Sequence, residues 1–164
     1  MDSELLAAVW PAAVCKIWEF NPQDLANTAW AFATLAVEDI QLLEAVRPAS
    51  VCKISEFNPQ ELANTAWASA TLAVKDSKLL DALQPAAVCQ IWEFNPQELA
   101  NSVWAFATLA VKDSELLGAV RPAAVCKIWE FNPQGLARPT WAFATLAVTD
   151  SELLEAPPRV SSWE

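Results

Sequence analysis

Between Pro22 and Ala36 the apolar positions Leu25, Ala29, Phe32, Ala33 and Ala36 follow an i, i+3, i+4 spacing. That spacing predicts a helix with one face against an apolar neighbour. Trp30 and Leu35 fall elsewhere on the helix and are also apolar, so the helix is expected to be covered on more than one side. The strip left for solvent or a ligand is Asp24, Asn27, Thr28 and Thr34. The start of the helix is written just before it. Asn21 is a good N-cap, Pro22 suits the first helical position, and Asp24, three residues past the cap, completes a capping box. The same grammar returns as Asn58, Pro59 and Glu61 and as Asn95, Pro96 and Glu98. These are called A-type helices below.

A second helical pattern lies between them, as in "DSELLGAV" followed by "PAAVCKIWEF", with a capping Asp such as Asp76 or Asp113. Pro11, Pro48, Pro85 and Pro122 interrupt this B-type helix at one fixed place. Proline lacks an amide proton and biases the residue before it away from the α region. The expectation is a kink, with each proline as the first residue of the second half.

The two patterns alternate with a fixed period. "EFNPQ" begins at Glu19, Glu56, Glu93 and Glu130, each 37 residues after the last. The units are 1–37, 38–74, 75–111 and 112–148, with a partial fifth over 149–156 and a tail over 157–164 expected to be disordered. A helix pair of this size cannot cover its own apolar surface and has to lean on the next. The predicted fold is therefore all-α, a right-handed α-solenoid of helix-pair repeats, in which one helix per unit lines a binding face. Because the residues begin on a unit boundary and nearly end on one, they read as an excerpt of a longer array.

The copies differ in two places. In the second unit Ser55 stands where Trp18, Trp92 and Trp129 stand elsewhere, and Ser69 where Phe32, Phe106 and Phe143 stand. Loss of both rings together suggests that the two positions touch. In the fourth unit Gly135 replaces the capping-box acid, Arg138 replaces Asn and Pro139 falls inside the helix. Interior proline costs about 3 kcal/mol and glycine about 1 kcal/mol, so this copy should fray up to Pro139.

Composition narrows the function. The chain has 164 residues, 54% of them apolar, and a net charge of −10. Such a charge favours solubility and leaves few cations for a polyanion. The opening "MDSELLAAVW" is acidic where a leader would be basic, and the longest apolar run is too short to cross a bilayer. Cys15, Cys52, Cys89 and Cys126 occupy one position of successive units. Packed helices lie about 8–10 Å apart, beyond the reach of a disulfide, so these residues read as small buried thiols. With no histidine or tyrosine, and no glycine-rich loop, neither catalysis nor a metal or other cofactor is expected.

The candidate chemistry is a row of one residue per unit, Asn27, Asn64 and Asn101, continued by Arg138. An amide donates and accepts at once, as reading a base edge requires, and one base per helical repeat is an established way of reading single-stranded RNA. The same asparagines could instead bond to one another or to nearby backbone as a structural ladder. Trp30, Trp67, Trp104 and Trp141, flanked by alanines, are expected in the core, whereas Trp18, Trp92 and Trp129 are open to either role. Lys16, Arg47, Lys53, Arg121 and Lys127 recur on the B-type helices as possible phosphate contacts, a stripe interrupted by Gln84 and Gln90. The competing class is a protein-binding scaffold whose partner is basic or presents an amphipathic helix. Neither a membrane nor a small-molecule substrate is implied.

The wording "FNPQDLANTAWAFATLAV" over 20–37, with "DSELLGAV" over 113–120, resembles octotricopeptide-type repeats and the related leucine-rich region of FAST-kinase-like and RAP-domain proteins. The resemblance runs from about Asp2 to Ala156. It implies an α-solenoid that binds organellar RNA and supports its processing, stability or translation in mitochondria or plastids. On this chain the base-facing strip it implies is Asn27 and Thr28, Asn64 and Thr65, and Asn101 and Ser102. Near-identical units would read near-identical nucleotides, so a low-complexity target is expected.

Overall fold

The structure, a computed structural model, describes residues 3–35, 40–73, 77–111, 114–132, 141, 142 and 144. Seven α-helices follow in order: α1 Ser3–Lys16, α2 Pro22–Leu35, α3 Ile40–Lys53, α4 Pro59–Thr71, α5 Ser77–Gln90, α6 Pro96–Thr108 and α7 Ser114–Cys126. Among the described residues there is no strand, so the all-α expectation holds. The A-type helices are α2, α4 and α6, and the B-type helices are α1, α3, α5 and α7. Trp141, Ala142 and Ala144 are helical, while Gly135, Arg138 and Pro139 lie outside the described residues, as do 149–156 and the tail.

The helices form two rows. In one, α2 packs on α4 and α4 on α6; in the other, α1, α3, α5 and α7 follow one another. Each A-type helix also packs against the B-type helix after it, α2 on α3, α4 on α5 and α6 on α7. The A row makes the most extensive contacts. Its buried faces explain why, since Ala63, Ala66, Ala68 and Ala70 of α4 and Ala100, Ala105 and Ala107 of α6 are all buried. Small side chains let neighbouring helices approach at the short end of the usual interaxial range. A middle helix such as α4 thus has neighbours on both sides and a third behind it. Leu25, Ala29 and Ala33 are buried as the spacing predicted, Phe32 is partly buried, and Ala36 lies outside the described residues.

The local signals act as read. Asn58 accepts from the Glu61 amide at 2.9 Å while Glu61 accepts from the Asn58 amide at 2.8 Å, and Asn95 with Glu98 repeats both distances. Asn21 and Asp24 form the same reciprocal pair at 2.8 and 3.2 Å. The C-terminal ends are less expected. Ala73 and Ala110 carry positive φ, 52° and 55°. After α6 the Ala110 amide donates to Ala107 O at 3.1 Å and the Val111 amide to Phe106 O at 3.0 Å, the paired bonds of a Schellman cap built on alanine instead of glycine.

Each B-type helix runs through its proline undivided. Pro11, Pro48, Pro85 and Pro122 are all exposed. The carbonyl that loses its partner therefore lies on the solvent side, where water replaces the missing bond without ending the helix. A one-turn 3-10 helix follows α1, α3 and α7, over Ile17–Glu19, Ile54–Glu56 and Ile128–Glu130, and a turn follows α5. The phenylalanine ending each "EF" pair anchors this corner, with Phe57, Phe94 and Phe131 buried.

The cysteines correct the sequence reading: Cys15, Cys52, Cys89 and Cys126 are free and exposed. Ser50, Ala87 and Ala124, two residues before the last three of them, are buried. Two residues turn a helix by about 200°, which carries each thiol to the opposite side. The size argument for burial fails because the position on the helix decides.

Candidate nucleic-acid interface

The strip expected on the A-type helices is present but composed differently. Asn27 is exposed, Asn64 and Asn101 are half-buried, and Thr28 is half-buried with its hydroxyl donating to Asp24 O at 2.6 Å. Thr65 and Ser102 are both 2% exposed and cannot meet a ligand. Packing is the reason. Thr65 lies among Ala29 of α2, Val46 and Ser50 of α3 and Leu79 of α5, and only on α2, at one end of the described row, is this position partly open. Arg138 lies outside the described residues.

The tryptophans of the A row divide between solvent and core. Trp30 is 47% and Trp141 52% exposed, while Trp67 and Trp104 are partly buried against the core. They lie three residues after the asparagines, so helical geometry puts both on one face. Trp18, Trp92 and Trp129, at the corners after the B-type helices, are exposed as well, each followed by an exposed glutamate, Glu19, Glu93 or Glu130.

The five basic candidates divide by environment. Lys16 and Arg121 are exposed, and Arg47 is half-buried on α3. Lys53 and Lys127 are engaged within the fold. The Lys53 ammonium donates to Trp18 O at 3.0 Å and to Phe20 O at 2.6 Å. The Lys127 ammonium does the same to Trp92 O at 2.9 Å and to Phe94 O. Gln90, which seemed to interrupt the basic stripe, donates its amide to Phe57 O at 2.8 Å. The position is thus a link between units, in which a long donor satisfies carbonyls at the corner of the unit before. Sequence reasoning missed it because it weighed Lys and Gln by charge; their shared signal is reach and donor capacity.

The two serines of the second unit fall in different settings. Ser55 is exposed at a corner, and Ser69 is buried, its hydroxyl donating to Thr65 O at 2.8 Å. Where the other units carry phenylalanine, Ser69 helps line a cavity of about 20 Å³ with Ala29, Val46, Ser50, Thr65 and Leu79. Ser50 Oγ and Thr65 Oγ1 are buried there without a hydrogen-bond partner in the protein. Among the described residues no cluster of metal-ligating side chains occurs, and no helix is long and apolar enough to cross a membrane.

Comparison with curated proteins gives no match. Comparison with protein families gives one over residues 2–159, the RNA-editing substrate-binding complex 6 proteins. This, and not the octotricopeptide or FAST-kinase-like group, is the family the comparison supports. The chain belongs to the RNA-editing substrate-binding complex 6 protein family.

Proposed function

We propose that this chain is a non-catalytic subunit that holds single-stranded RNA during organellar RNA processing, acting in the mitochondrion as part of an RNA-editing substrate-binding complex. The observation that carries the reading is the family match over residues 2–159. The architecture that serves it is a right-handed α-solenoid with a period of 37 residues, the unit length read from the sequence. Its kinship with octotricopeptide arrays is one of shared helix-pair wording. Supporting it, α2, α4 and α6 lie side by side and bring Asn27, Asn64 and Asn101 into one row. Arg138 stands at the equivalent sequence position of the fourth unit.

The test is binding of the purified chain to short single-stranded RNA at low salt, with a duplex of the same sequence as control. Preference for the single strand is expected. Absence of binding to either RNA would overturn the reading and favour a protein-binding scaffold. One observation gives that second reading substance. Trp18, Trp92 and Trp129 are exposed beside carboxylates, a surface suited to a basic or amphipathic protein segment and unsuited to phosphate.

A further inference from the structure

One face of the A row repeats a fixed set of side chains. On α2 it is Gln23, Asn27, Trp30 and Thr34; on α4, Gln60, Asn64, Trp67 and Thr71; on α6, Gln97, Asn101, Trp104 and Thr108. The spacing i, i+4, i+7, i+11 makes each set a single stripe. Every one of the twelve is exposed or half-buried, while the residues on the other sides of α4 and α6 form the core. Because α2 packs on α4 and α4 on α6, the three stripes lie next to one another.

The charge on this face is as informative as its shape. The charged side chains of α2, α4 and α6 are Asp24, Glu61 and Glu98 alone, and each accepts a hydrogen bond from the amide of its N-cap asparagine. Beyond the first turn the face carries amides, hydroxyls and indole rings with no charge of either sign. Such a surface neither neutralises phosphates nor repels them strongly, and its contacts have to go to bases.

Resting on the RNA reading above, we propose that this face is the RNA-binding site and takes one unpaired nucleobase per unit. Trp30, Trp67 and Trp104 stack on the bases, and Asn27, Asn64 and Asn101, one helical turn away, meet their hydrogen-bonding edges. Helices packed about 8–10 Å apart are farther from each other than stacked bases at about 3.4 Å. The strand therefore has to unstack to follow the row, which leaves base faces open for the indoles. Trp141, also exposed, continues the row into the fourth unit.

The experiment compares binding of a short oligouridylate, an oligoadenylate and an abasic strand of equal length to the intact chain and to Trp30→Ala, Trp67→Ala and Trp67→Phe. The base-bearing strands should bind and the abasic strand should not. Each Ala variant should lose roughly 5- to 150-fold in affinity, as expected for one stacked base, and Trp67→Phe should keep most of it. Trp30 is half-exposed and its variant spares the fold; circular dichroism checks both, and the abasic comparison needs no variant. If the intact chain binds base-bearing RNA but folded Trp variants bind it equally well, or if the abasic strand binds as tightly, the site is refuted while the RNA reading stands. If the intact chain binds no RNA, the reading and the site fall together.

Discussion

The Lys53 ammonium donates to the backbone carbonyl of Phe20 at 2.6 Å, joining the last residue of α3 to the corner that leads into α2. The carbonyls at such a corner have no partner in their own helix and have to be satisfied from elsewhere. Lys53→Met keeps the aliphatic stem and removes the donor. It should lower stability by about 1–2 kcal/mol, toward the low end for a charge-assisted bond because the side chain is half-exposed. Lys53→Gln should recover much of the loss, as Gln90 makes the same link one unit on. Urea unfolding reads both; a Met variant as stable as the parent would show that the link contributes nothing.

The same bond bears on RNA binding. Lys53 and Lys127 donate to carbonyls, Lys16 and Arg121 are exposed, and Arg47 is half-buried, so at most three of the five basic candidates can meet phosphates. At about 0.7 counterions per phosphate on a single strand, the slope of log affinity against log salt should be no steeper than about −2. A slope near −4 in a salt titration would mean that the bases are not the principal contact.

The orphaned hydroxyls of the second unit predict a gain on removal. Ser50 stands where Ala13, Ala87 and Ala124 stand in the other units, and its Oγ has no partner in the protein. Ser50→Ala should stabilise the fold by about 1 kcal/mol, and Thr65→Val should behave alike. The urea midpoint at constant m-value measures this. A loss of stability instead would mean that a water bridges the two oxygens within the cavity of about 20 Å³, for which there is room.

Alanine and glycine are placed against their preferences near α6 and α7. Ala110 sits at φ 55°, where glycine is favoured, and Gly118 sits inside α7 with nothing within 4 Å of an added Cβ. Ala110→Gly should add about 1 kcal/mol and Gly118→Ala about 0.5–1 kcal/mol. Their effects should sum in thermal unfolding, since one acts at a cap and the other in a helix interior. A destabilising Ala110→Gly would remove the account of the cap.

The sequence by itself determined the helices, because their signals are local. Asn95, Pro96 and Glu98 start α6 by capping chemistry that involves only neighbours in the chain, and the i, i+3, i+4 spacing sets which side of α2 is buried. The words repeated in every unit pointed to organellar RNA through octotricopeptide-type arrays, whereas the family matched is the RNA-editing substrate-binding complex 6 proteins. Tertiary structure decided the roles that depend on what lies across a helix boundary. Lys53 was legible as a cation, but only the corner of the preceding unit makes it a donor to carbonyls. Thr65 and Ser102 were legible as polar, but packing of the neighbouring helices buries them. Cys89 was small enough to bury, yet α5 turns it outward, and Trp67 was greasy enough for the core, yet remains partly open. Composition and period fix which side chains a helix offers; which of them reach solvent depends on where the next helix is laid, and that is settled only by packing.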